Sequence, residues 1–107
     1  MLELKGVHHI AIICRDYAVS KAFYTEVLGL TILQETYREA RDSYKLDLAL
    51  QGEYIIELFS FPNPADRPSY PEARGLRHLA FKVEDIEKQV EELNKAGIKT
   101  EPIRIDE

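Results

Sequence analysis

Three side chains place a donor atom inside an apolar run of strand length. His9 sits in Val7-His8-His9-Ile10-Ala11-Ile12, Glu57 in Tyr54-Ile55-Ile56-Glu57-Leu58-Phe59, and His78 in Gly75-Leu76-Arg77-His78-Leu79-Ala80-Phe81. Two imidazoles and a carboxylate from separate strands suit a divalent first-row cation (Zn, Ni, Mn, Fe or Co), with coordination positions left for the oxygens of a small-molecule substrate. Each residue also has a plainer reading. A strand histidine taken singly is explained as a hydrogen-bonded structural residue, and Glu57 as the solvent-facing member of a strand whose Ile56 and Leu58 face the core. A carboxylate on a half-buried strand is costly unless paired or coordinated, and Ile55 and Phe59, expected on the same face as Glu57, argue for a pocket. No local metal motif of the H-E-x-x-H kind is present, so spacing alone leaves both readings open.

The choice between His8 and His9 comes from an internal repeat. At an offset of 69, residues 6–16 lie over residues 75–85, with Gly6 on Gly75, His9 on His78, Ala11 on Ala80 and Asp16 on Asp85. His8 falls on Arg77. Since side chains alternate along a strand, His8 and His9 point to opposite faces, and the repeated residue is His9.

The elements that must position these residues follow from the same comparison. Each copy reads as a β-rich run ending in an aspartate that can cap a helix. The first helix carries Ala18, Val19, Ala22, Phe23 and Val27 at helical spacing and stops at Gly29. The second carries Ile86, Val90 and Leu93 and stops at Gly97. Both return to a strand, at about 30–38 and 98–103. Two more strands follow in the first copy, Ser43 to Leu50, with alternation at Tyr44, Leu46, Leu48 and Leu50, and Tyr54 to Ser60, joined by a turn at Gln51-Gly52-Glu53. The first module, 5–60, is thus β-α-β-β-β. A linker over 61–74 carries Pro62, Pro64, Pro68 and Pro71, and a second module over 75–107 has only β-α-β, without the counterpart of the 43–60 hairpin. Either the chain continues in a longer protein or a partner chain supplies the last two strands.

Composition narrows the function. A chain of 107 residues with 45% hydrophobic and 31% charged residues is one small globular domain. Its apolar runs are far too short to span a membrane. A net charge of −5, with 14 basic residues interspersed among 19 acids, disfavours nucleic acid and leaves a small molecule or a protein as partner. The single Cys14 forms no internal disulfide and reads as an inert core thiol, and the N-terminus lacks a signal-peptide layout, so a cytoplasmic protein is expected. The charged stretch Tyr37 to Asp42 reads as a solvated turn.

Together, Val7-His8-His9-Ile10-Ala11-Ile12, Phe23-Tyr24 with Val27-Leu28-Gly29-Leu30, Ile55-Ile56-Glu57-Leu58 and Gly75-Leu76-Arg77-His78-Leu79-Ala80-Phe81 resemble the vicinal oxygen chelate superfamily, which holds glyoxalase I, bleomycin-resistance proteins and extradiol dioxygenases. The resemblance implies an α+β fold of paired βαβββ modules curling into an open mixed β-barrel around a divalent metal, and a homodimer. It implies His9, Glu57 and His78 as three of four metal ligands. Glu57 follows His9 by 48 residues, and the same step from His78 lands near 126, where the fourth ligand, a glutamate, is expected. The activity implied is that of a metal-dependent, lactoylglutathione lyase-like enzyme whose substrate chelates the cation through adjacent oxygens. The alternatives are a non-catalytic small-molecule or antibiotic-binding protein of the bleomycin-resistance kind, and an extradiol dioxygenase-like enzyme.

Overall fold

Leu46, Leu48, Ile56 and Leu58 are fully withdrawn from solvent, and the sheet of the first unit is organised around them. The computed structural model describes residues 1–106. They divide into two units, the first Met1–Arg67 and the second beginning at Pro68.

In the first unit, β1 (Ile10–Ile13) leads into α1 (Tyr17–Ala22), which continues as a wider π-type turn over Phe23–Val27. Then come β2 (Thr31–Arg38), a short 3-10 turn (Glu39–Arg41), β3 (Ser43–Leu50) and β4 (Glu53–Phe59). The four strands lie in the order β1-β4-β3-β2, with β1 parallel to β4 and the other pairs antiparallel. This is one βαβββ module of an α+β fold, its mixed sheet left open at β1 and β2. The sequence places β2, β3, β4 and the helix to within a residue or two, but the first strand, expected over the run Val7 to Ile12, begins only at Ile10 and leaves His9 just outside it.

Local chemistry explains the joints. The Val19 amide donates to the Asp16 carboxylate at 3.2 Å, which caps α1 as expected. Gln51 and Gly52 hold φ of 48° and 80°, so the β3–β4 hairpin closes through two left-handed residues, the twist that matches antiparallel strands. The helix lies over the Leu46–Leu48 face: Tyr17 stacks on Tyr44 at 4.5 Å, and Lys21 pairs with Glu35 of β2 at 2.7 Å.

Two bulges depart from simple alternation. The β3–β4 pairing steps from Leu48↔Ile56 to Ala49↔Tyr54, so Ile55 is the extra residue, and the β2–β3 pairing skips Leu33. Both extra residues lie in the neighbouring strands and leave the alternation of β3 intact; Tyr44 and Leu50, at its two ends, are each 38% exposed while Leu46 and Leu48 are buried, which corrects the expected apolar run at both ends.

In the second unit, α2 (Ile86–Lys95) is capped by Asp85, whose carboxylate accepts the Lys88 amide at 3.1 Å. It ends as Gly97, at φ 81°, donates to Asn94 and Ile98 donates to Leu93, the paired closure that a left-handed glycine permits. The strands expected at 75–83 and 98–103 are not formed: these residues belong to no ladder. A strand exists by pairing, and apolar alternation without an adjacent partner leaves its amides unclaimed. No helix among the described residues is long and apolar enough to cross a membrane.

Candidate functional site

Strand alternation sends Leu46, Leu48, Ile56 and Leu58 to the core and their neighbours to the other face of the sheet. On that face Ala11, Glu57 and Asp47 stand side by side across β1, β4 and β3, with Lys45 one step along β3 opposite Phe59. His9 precedes β1 by one residue and lies two before Ala11, so it projects over the same surface. Its Nε2 stands 3.7 Å from Glu57 Oε1, with the two side chains 34% and 16% exposed.

The surroundings fix both groups. Glu57 Oε2 accepts from the Tyr54 hydroxyl at 3.3 Å and lies 3.4 Å from Lys45 Nζ, which leaves Oε1 turned to His9. Tyr54 donates also to Asp47 at 3.0 Å, and Lys45 grips both Asp47 oxygens at 2.8 and 3.0 Å. Two carboxylates against one ammonium leave a surplus negative charge beside the imidazole. Burial, with the Asp47 hydrogen bond next, pushes the Tyr54 phenol well above its ordinary range, and the bond to Asp47 holds Lys45 up, so both remain protonated donors. The His9 ring stacks flat on Tyr54, centroids 4.9 Å apart, and its Nδ1 lies 2.7 Å from His8 Nδ1. When His9 Nδ1 carries the proton and donates to His8, Nε2 presents its lone pair toward Glu57.

Two ligands of one first-row cation, each at about 2.0–2.2 Å, stand roughly 3–3.5 Å apart. His9 and Glu57 therefore come within a few tenths of an ångström of sharing one, in a setting of matching charge and with the outer-shell bonds that orient metal ligands. The donor pair fits a divalent metal. Among the described residues no three His, Cys, Asp or Glu side chains are gathered as a metal site. The structure brings His9 and Glu57 together within the first unit; His78 belongs to the second, where it is exposed.

Tyr54, Lys45 and Asp47 were not singled out by the sequence. Lys45 and Asp47 were legible as polar residues alternating with Leu46 and Leu48. Tyr54 was not, since strict alternation puts it opposite to Glu57 and only the bulge at Ile55 brings it round. Cys14 behaves as read: it is buried, its thiol donates to the Phe59 carbonyl at 3.3 Å, and desolvation pushes its pKa up.

The family model for the glyoxalase/bleomycin resistance protein/dioxygenase superfamily matches residues 6–107. The chain belongs to that superfamily. A relative, the uncharacterized protein YaeR of Escherichia coli K12, is 65% identical over 106 residues, covering 99% of this chain and 82% of its own. Among solved structures, a glyoxalase family protein from Enterococcus faecalis superposes with a TM-score of 0.88 at 49% identity, covering 95% of this chain and 80% of that one. A fosfomycin resistance protein, FosX from Listeria monocytogenes, complexed with Mn(II) and 1S,2S-dihydroxypropylphosphonic acid, superposes at 0.72 with 17% identity over 96% of this chain and 78% of that one. At that identity the likeness is one of fold. Membership in the glyoxalase superfamily thus agrees with the resemblance carried by the histidine-bearing strand and the Glu57 strand.

Proposed function

We propose that the protein is a metal-dependent, glyoxalase-like enzyme of the lactoylglutathione lyase type, acting on a small substrate that chelates a divalent cation through adjacent oxygens. The observation that carries this reading is the His9–Glu57 pair, 3.7 Å apart on the open face of the sheet, with Glu57 Oε2 already engaged by Tyr54 and Lys45. His9, Glu57 and His78 are the ligands supplied by this chain, with residues 5–60 and 75–107 as its two modules. When bound, the cation supplies Lewis acidity that stabilises an oxyanion as it develops on the substrate. The chain's own residues hold and orient: His8 fixes the tautomer of His9, Tyr54 and Lys45 fix the rotamer of Glu57, and the imidazole face packs on Tyr54. FosX, a neighbour in fold, is described with Mn(II), which supports a cation in this fold. The protein acts as a cytoplasmic homodimer; the open edge at β1 and the exposed Leu2, Leu4, Val7 and Ile13 near it support self-association.

Metal content after reconstitution with Zn, Ni, Mn, Fe or Co, compared with His9→Ala and His78→Ala, tests the site. One equivalent bound by wild type and a loss in both variants is the expected result. Substoichiometric binding of every metal by wild type overturns the enzyme reading and leaves a non-catalytic binding protein. A panel of methylglyoxal–thiol adducts and catechols then separates isomerase from dioxygenase.

A further inference from the structure

Arg38 ends β2 and Arg41 ends the 3-10 turn that follows it, and both guanidinium groups lie over one aromatic pair. Arg38 Cζ is 5.0 Å from the Phe59 ring centroid and 5.8 Å from that of Phe61, while Arg41 Cζ is 5.1 Å from Phe61. The two rings are themselves stacked, 5.7 Å apart. The aromatic faces attract both cations but neutralise neither. Among the described residues, neither arginine has an acidic partner within 4.0 Å, whereas Lys45 on the same face of the sheet is paired with Asp47 and Glu57.

One atom is more telling than the charge. Arg38 Nε is buried and has no hydrogen-bond partner among the described residues, while Nη2 of the same group donates to the fully buried Ser43 hydroxyl at 3.0 Å. Native structures rarely leave a buried N–H unclaimed, least of all on a charged group. Ser43 anchors one nitrogen and so fixes the plane of the fork, and the unclaimed Nε–H is one arm of the edge that meets an oxyanion in bidentate fashion.

The β2–β3 register places this group relative to the candidate metal ligands. Arg38 pairs with Ser43 and Thr36 with Lys45, so Arg38, Ser43 and Lys45 share the face that carries Glu57, and Lys45 pairs with Phe59. Phe59, under the Arg38 guanidinium, lies two residues along β4 from Glu57, roughly 7 Å.

The geometry points to an oxyanion-binding subsite formed by Arg38 and Arg41 on the Phe59–Phe61 stack, which takes a carboxylate, phosphate or phosphonate carried by the substrate. It deepens the proposed function and rests on that reading only for where the other end of the ligand goes. The substrate class becomes an acidic metabolite with its chelating oxygens at one end and an anionic group at the other. The stretch 37–42, read from the sequence as a solvated turn, then contributes two binding residues.

The test uses the full chain, kept metal-free with chelator so that it does not depend on the cation. The Arg38 Nε–Hε resonance is followed by NMR while inorganic phosphate or acetate is added at constant ionic strength, with chloride as control. A saturable shift with phosphate, acetate or both, absent with chloride, is expected. Which of the two binds tells phosphate from carboxylate. Affinity should fall about tenfold or more in Arg38→Lys, which keeps the charge and loses the fork, and several-fold in Arg41→Gln. Should Arg38→Lys fail to fold, Arg41→Gln, on an exposed turn, decides alone. No saturable shift with either anion, or wild-type affinity in the folded variants, overturns the proposal. A protein that binds anion but no metal refutes the enzyme reading alone, and the converse result refutes only this one.

Discussion

Replacing Glu57 by glutamine separates the two roles its carboxylate can have, because the two make opposite demands on the metal-free protein. Without a cation, the change removes a pair with Lys45 at 3.4 Å between side chains 30% and 16% exposed. Such a pair is worth about 1 kcal/mol or less. It also removes a like-charge repulsion, since Glu57 lies directly across from Asp47 on the neighbouring strand, a term of similar size and opposite sign. Lys45 keeps its shorter bonds to Asp47. The net change in the metal-free state should therefore stay within about 0.5 kcal/mol. With metal present, losing a ligand should weaken affinity by about a hundredfold or more, beyond the tenfold to hundredfold typical of outer-shell changes. At a cation concentration a hundred times the wild-type Kd, binding stabilises wild type by about 2.7 kcal/mol, and the variant by only about 0.4 kcal/mol. For a domain of this size the difference is about 10 °C in Tm. Thermal melts by circular dichroism, with chelator and with metal, read both numbers. A glutamine variant that loses more than about 2 kcal/mol in chelator, or whose metal-induced shift equals that of wild type, refutes the reasoning and makes Glu57 a structural residue.

Tyr54→Phe deletes the hydroxyl that holds Glu57 Oε2 and Asp47, and metal affinity by calorimetry should fall about tenfold to a hundredfold with the fold retained. Hydrogen bonds from Lys21, and then Tyr17, hold the Glu35 carboxyl below its ordinary value of 4.5. A depressed folded-state pKa stabilises above the unfolded value and is lost as pH falls through the folded one. Glu35→Gln should thus cost about 0.5 kcal/mol at pH 7, since both side chains are a third exposed, and nothing once Glu35 is protonated in acid; urea titrations across that range check the sign. Gly52→Ala, forced to φ 80° in open space, should lose about 1–2 kcal/mol in the same titrations with the slope unchanged.

Strand alternation and turn chemistry are local signals, and where the structure obeys them the sequence was sufficient. Ser43 to Leu50 and the Gln51-Gly52 turn were legible because polar and apolar residues alternate and a glycine stands where φ must be positive. Asp16 and Asp85 were legible as caps for the same reason. The pairing of β1 with β4 was not a local signal; the repeat singled out His9 over His8 on the expectation of opposite faces, whereas both rings pack against Tyr54 with their Nδ1 atoms 2.7 Å apart, because the two residues precede β1 and escape strand alternation. What stayed hidden depends on neighbours. A bulge at Ile55 leaves no mark in the hydrophobic pattern, so nothing in that pattern shows that Tyr54 shares the face of Glu57. The strands expected in 75–83 and 98–103 have apolar residues such as Phe81 and Ile103, but alternation supplies only one side of a ladder. Arg38 looked like any turn cation until its buried nitrogen was found without a partner.

The parallel pairing of β1 with β4 carries a kinetic consequence. β2, β3 and β4 form a meander of sequence neighbours, whereas Ile10 meets Ile56 only by closing a loop of more than forty residues. Contacts of low sequence separation form early and that one late. Where the docking of β1 follows the rate-limiting barrier, His9 and Glu57 meet only on the native side of it. A cation held by both would then add its stability almost wholly by slowing unfolding, with the refolding rate untouched. The lifetime of the loaded protein, more than its speed of formation, is what the site would govern.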